Sequence, residues 1–183
     1  MTNTSNNKSK APNNLTILQR GEPILAQVAQ TIHNVNSADI KQLIDDLTVT
    51  VAEAKGVGIA APQVGKSLRL FLMCSAPSER YPDAPLLPIT VVINPKIIKT
   101  SEQQVLGWEG CLSVKGKRAL VPRYSDIDVS YIDETGALHN QHLTGFLARI
   151  FQHELDHLDG ITFIERLDND SDAIDELQWQ KQQ

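Results

Sequence analysis

The chain has 183 residues, 41% of them hydrophobic and 21% charged, and a net charge of −5. That is enough for one domain with a proper core, in the ordinary balance of a soluble globular protein. Its apolar runs fall far short of the roughly 20 residues that span a bilayer, and its acidic balance argues against nucleic acid as a partner, because phosphate binding needs a basic stripe.

Residues 1–14, MTNTSNNKSKAPNN, lack the apolar stretch of a secretory signal and read as a disordered polar tail. Residues 15–167 show no repeat and no linker, and read as one domain. Ser37 can cap a helix running to about Ala54. Its apolar positions Ile40, Leu43, Ile44, Leu47 and Val51 recur at helical spacing, and Gly56 stops it. A Gly-rich turn follows over residues 56–65.

Short segments rich in Val, Ile, Leu and Tyr then read as strands, at residues 69–74, 90–94, 119–121 and 127–131. Prolines 77, 82, 85, 88, 95 and 122 punctuate them. Glu134-Thr135-Gly136 reads as a turn joining two strands. From Thr144 the period returns to helical, with Leu147, Ile150, Phe151, Leu155 and Leu158 on one side and Gly160 past the end. The polar segment 168–183 carries Ile174 and Leu177 and can form a short exposed helix. The expected class is α+β: mostly antiparallel strands packed around a central C-terminal helix.

Chemistry concentrates on that last helix. His153-Glu154-Leu155-Asp156-His157 is an HExxH motif. Positions i and i+4 share a helix face, so two imidazoles can converge on one tetrahedral ion. Glu154 lies round the helix from them and can reach the ion's open position as an acid/base. Chance supplies the bare pattern roughly 0.007 times in a chain of this composition.

A catalytic ion of this type needs a third protein ligand. Glu165 and Glu176 lie downstream. Glu176 would suit a zincin-type metallopeptidase. Upstream stands Cys111, in Trp108-Glu109-Gly110-Cys111-Leu112-Ser113, and a thiolate binds soft or borderline metals well. Its neighbours do not read as a core strand. Cys74, in Leu70-Phe71-Leu72-Met73-Cys74, reads as a structural residue of a buried one. Two cysteines make no disulfide scaffold, and a reducing compartment fits them. A basic patch at Lys115, Lys117, Arg118 and Arg123 fits either a binding role or a solvated loop.

Three segments in order resemble the signature motifs of peptide deformylases: Gly56-Val57-Gly58-Ile59-Ala60-Ala61-Pro62-Gln63, Glu109-Gly110-Cys111-Leu112-Ser113, and Gln152-His153-Glu154-Leu155-Asp156-His157. The likeness extends from about Ile17 to about Arg166. It implies a cytoplasmic hydrolase, working near the ribosome, that removes the formyl group from the N-terminal formyl-methionine of new polypeptides and releases formate. It implies Cys111, His153 and His157 as ligands of one divalent ion: Fe2+ in the cell, with Zn2+, Ni2+ or Co2+ able to replace it. Glu154 becomes the acid/base. The Gln63 amide and the Leu112 N–H become donors to the developing oxyanion. Val57, Gly58 and Gly110 would meet the peptide backbone, and Arg118 the substrate backbone or carboxylate. Phe146, Ile150 and the stem of Arg149 would wall the methionine pocket. Two positions depart from the family. Lys115 stands where proline is common, which predicts a more mobile or more charged loop. Arg149 stands where some members are apolar, which leaves the pocket rim open. Besides the metallopeptidase, a non-catalytic relative is the other reading. It would expect a broken ligand, and none is broken.

Overall fold

The computed structural model describes residues 10–182, so part of the expected polar tail lies outside the described residues. Residues 10–14 are exposed, and the Asn13 N–H donates to Asp46 Oδ1 at 2.8 Å. The helix α1 (Ala38–Glu53) starts where Ser37 Oγ accepts from the Ile40 N–H at 3.3 Å. It buries Ile40, Leu43, Ile44, Leu47 and Val51, the stripe its spacing predicts.

The strands β1 (Gly58–Ala60), β2 (Leu70–Ser75), β3 (Leu87–Thr100), β6 (Asp126–Ile132) and β7 (Leu138–Thr144) form an antiparallel sheet in the order β1-β2-β3-β6-β7. A second antiparallel sheet joins β4 (Gln104–Cys111), β5 (Val114–Tyr124) and the two-residue β8 (Ile174–Asp175) in that order. The class is α+β with antiparallel sheets, as expected.

Strand β2 reads as a continuous apolar run because both its faces are covered. Leu70 and Leu72 meet α1, with Leu47, Val51, Ile59 and Ile93. Phe71 and Met73 face the other way, toward the helix α2 (Gly145–Leu158), which brings Ala148, Ile150, Phe151 and Leu158. The Phe71 and Phe151 rings meet edge to face at 5.2 Å. On its far side α2 touches the β4–β5 hairpin, where the Gln152 amide bridges Tyr124 N and O.

Three expectations need correction. Strand β3 is far longer than residues 90–94 and passes through Pro95. The ladder shifts register between Ile93 and Lys96 there, so the missing N–H of proline falls in a bulge. Asn94 takes the left-handed turn, φ 51°, and its side chain holds both Ile32 N and O.

Second, residues 108–111 and 115–118 are strand, not loop. Cys111 pairs with Val114 around the two-residue turn Leu112-Ser113. The pattern was inverted: charged Glu109 and Arg123 face inward, while Leu106, Leu120 and Pro122 face out.

Third, the C-terminal segment is not simply exposed. Ile174 and Asp175 pair with Arg118 and Lys117, and the short helix α3 (Glu176–Gln180) buries Trp179. Among the described residues no helix is long and apolar enough to cross a membrane.

Candidate metal centre

Helix α2 starts at Thr144 without a side-chain cap, and its last two turns bury Gln152, Glu154, Asp156 and His157. So much polarity is tolerated only where each group finds a partner or a ligand. The His153 and His157 rings lie 5.1 Å apart, edge to face. The end of β4 brings Cys111 to them, with Sγ 3.2 Å from His157 Nε2. Ligand atoms of Cys111, His153 and His157 all fall within 4.8 Å of one another. Thiol and imidazole at that spacing are the donor set of a divalent transition-metal site, and the three residues fit one.

The surroundings orient the donors. His153 Nδ1 is 2.8 Å from Glu109 Oε2, which leaves Nε2 for the cluster. Burial works against a charge on His153, but its hydrogen bonds to Cys111 and Glu109 outweigh it and hold its pKa well above the usual range. Burial, then the charges of His153 and Arg123, push His157 well below. Glu109 is held well below the carboxylate range: burial opposes this, but His153 and Arg123 win. The Ser113 N–H donates to Cys111 Sγ at 3.3 Å.

Gln63, on the turn after β1, is 1% exposed. Its Oε1 accepts from the Ala60 N–H at 2.8 Å, which fixes the amide. Its Nε2 therefore faces the cluster, 3.1 Å from Ser113 Oγ and 3.6 Å from Cys111 Sγ. Glu154 is buried, and among the described residues its Oε2 has no partner. Burial first, with the nearby Glu109 charge, pushes its pKa up to about 7. A Cβ on Gly58 would overlap the Glu154 side chain, so glycine here leaves that carboxylate its place.

A cleft of about 1290 Å³ opens over this group. Val57, Gly58, Gly110, Leu112, Phe146 and Ile150 line it. Arg118 lines it too but is only 3% exposed. Glu176 takes its Nε at 2.8 Å and Nη2 at 3.1 Å, Tyr81 Oη takes its Nη1 at 2.9 Å, and it lies 4.7 Å over the Trp179 ring. Arg149 lines the cleft too, and its guanidinium bonds the backbones of β4 and β5. Lys115 stands exposed on β5, in place of the expected loop.

Several expectations are overturned here. Glu176 is engaged by Arg118, and Glu165 by Thr162 and Arg20, so neither joins the histidines. The basic patch is not one: Lys117 pairs with Asp175, Arg118 with Glu176, and Arg123 with Glu109 and Asp156. Cys74 is part of β2, but it also lines the cleft, and burial followed by the Glu154 charge pushes its thiol up. Tyr81, whose ring lies 4.9 Å from Phe146, and Trp179 were missed. Only their aromatic character in polar stretches could have flagged them.

An α+β domain with a largely sheltered thiol–imidazole cluster, and beside it a carboxylate whose Oε2 has no partner among the described residues, has the build of a metal-dependent hydrolase. Residues 14–173 match the sequence profile of the family described as polypeptide deformylase. The chain is 54% identical over 170 residues to Peptide deformylase 2 of Nostoc sp., covering 93% of this chain and 95% of that one. It is 50% identical to Peptide deformylase 2 of Shewanella oneidensis, covering 83% of each. A crystal structure of class I type b peptide deformylase from Acinetobacter baumannii, with Met-Ala-Ser bound, superposes with a TM-score of 0.83 at 42% identity, over 86% of this chain and all of that one. The chain belongs to the polypeptide deformylase family, metal-dependent hydrolases that take the formyl group from nascent peptides.

Proposed function

We propose that Cys111, His153 and His157 hold one divalent ion and that Glu154, Gln63 and Leu112 carry out the deformylation beside it. The observation that carries this is the Glu154 carboxylate, whose Oε2 has no partner among the described residues, set beside the three converging donors. When bound, the ion supplies Lewis acidity and lowers the pKa of water from 15.7 to about 7. The reaction adds water across the formyl amide and yields formate and a free α-amine.

In its ionised form Glu154 takes a proton from the attacking water. It then delivers that proton to the departing amide nitrogen as the C–N bond breaks. A pKa near 7 suits both halves of this shuttle at neutral pH. As negative charge develops on the formyl oxygen, Gln63 Nε2 and the Leu112 N–H donate to it. Each such donor is worth about 10²–10³ in rate.

The substrate is a formyl-Met peptide that lies along β1. Among the described residues no strand pairs with the outer side of β1, so Val57 and Gly58 can add the peptide as a further strand. Gly110 gives it close approach on the facing wall. Phe146 and Ile150 offer the apolar pocket a methionine side chain needs. Arg118 stabilises the wall beyond it, and its charge is already shared with Glu176. On this reading residues 15–167 are the catalytic domain, and the segment 168–183 completes the cleft. The resident ion is Fe2+, and the enzyme works in the cytoplasm near the ribosome, where formyl-Met chains emerge.

Anaerobically purified, iron-loaded protein should release formate from formyl-Met-Ala-Ser, and activity should decay in air as the metal, and Cys111 with it, oxidises. Cys111→Ser should abolish the activity. Absence of formate release from the fully metallated protein would overturn the assignment.

A further inference from the structure

The carboxylate of Glu109 is saturated. Its Oε1 accepts from Arg123 Nε at 2.9 Å and Arg149 Nη1 at 2.8 Å. Its Oε2 accepts from Arg123 Nη2 at 3.0 Å and His153 Nδ1 at 2.8 Å. A carboxylate has about four lone-pair sites, so none is left free to let it turn. Two of the four donors come from α2 itself: Arg149 stands one helical turn before His153, so one helix supplies both the ring that Glu109 orients and a donor that holds Glu109.

The same guanidinium is tied on its other sides. Arg149 Nη1 donates to Val121 O at 2.8 Å and Gly107 O at 3.3 Å, and Nη2 donates to Val105 O at 2.8 Å. It thus joins the backbones of β4 and β5 to the helix that carries His153. The space for it is cleared by a glycine, since a Cβ on Gly107 would lie 2.7 Å from Arg149 Cζ. A planar fork bonded this way is not replaceable by a point charge.

We propose that Arg149 is a positioning residue for the metal centre. It locks the Glu109 carboxylate so that His153 keeps its Nδ1–H on Glu109 and presents Nε2 to the ion. The proposal rests on the reading of His153 as a ligand. Without Arg149, Oε1 loses one of its two donors, and only the Arg123 fork is left to hold the carboxylate in register with the imidazole. Partners of this kind typically set metal affinity within a factor of about 10–100.

The test uses the full chain loaded anaerobically with cobalt. The variants are Arg149→Met, which keeps the stem and removes the donors, and Arg149→Lys, which keeps the charge and loses the fork. Three quantities are read: the cobalt dissociation constant by chelator competition, the visible spectrum of the bound cobalt, and the melting midpoint of the metal-free protein. Arg149→Met should weaken cobalt binding about 10–100-fold and change the band intensities, with Arg149→Lys in between. Binding within twofold of the parent and an unchanged spectrum would overturn the proposal, even if the midpoint falls, because that is a purely structural role. Should Arg149→Met not fold, Gly107→Ala displaces the guanidinium from the other side and is judged by the same two limits. Failure of the underlying reading looks different: His153→Ala would then leave cobalt binding intact.

Discussion

The helices α1 and α2 cover opposite faces of one sheet and bury different things. Helix α1 is capped by Ser37, and its buried side chains are apolar except for Thr50, whose hydroxyl donates to Asp46 O and accepts from the Leu15 N–H. Helix α2 has no side-chain cap and buries two acids, a histidine and an amide in its last two turns. Apolar burial stabilises by roughly 25 cal/mol per Å². Buried ion pairs such as Arg123–Asp156 at 2.6 Å do little better than break even. Both faces bury apolar side chains, but only the α2 face also supports a site that a stability optimum would not contain.

Substitutions on the two helices should separate these roles. The largest expected effect is Glu154→Gln, which should lower deformylation about 10²–10⁴-fold while leaving the fold intact. In the metal-free protein it should even stabilise. The pKa of Glu154 is raised from 4.5 to about 7, so the folded state holds a proton that the unfolded chain has lost. That penalty is absent below pH 4.5, grows as pH rises toward 7, and is complete above it. Thermal melts should put the variant above its parent at pH 8, with the gap closing by pH 4.5. A variant that melts lower at pH 8 would break the contrast.

Leu47→Ala on α1 should do the reverse. It should cost about 2–5 kcal/mol in urea unfolding and leave the rate per folded molecule unchanged. A large fall in kcat would mean that the α1 face also shapes the site. Gln63→Ala tests the border between the two. Its side chain is fully buried yet faces the cluster, so a rate loss of about 10²–10³ should exceed its effect on melting. The smallest effect is Ser37→Ala, about 1 kcal/mol of stability with no kinetic change.

The sequence exposed what is local. The period of α1, the HxxxH spacing and the motif around Cys111 can all be read without coordinates, and the last two meet in space. What stayed hidden depends on pairing at a distance. The β4–β5 hairpin reverses the usual alternation, because Glu109 and Arg123 face inward to serve the site, so pattern reading took its turn-proximal half for loop. Arg118 reads as a surface cation until Glu176, 58 positions on, is seen to claim it. Arg149 reads only as a pocket rim until its four acceptors are counted.

That last pairing of Arg118 also has a history in time. Its acceptor is made 58 residues after it. At about 5–20 residues per second, a growing chain spends some 3–12 s with Arg118 translated and Glu176 not yet in existence. Strand β8 and helix α3, which bring Glu176 and Trp179, follow even the histidines in the chain. The distal wall of the cleft is therefore the last part of it to be synthesised, and the cleft takes its full shape only when that segment has docked.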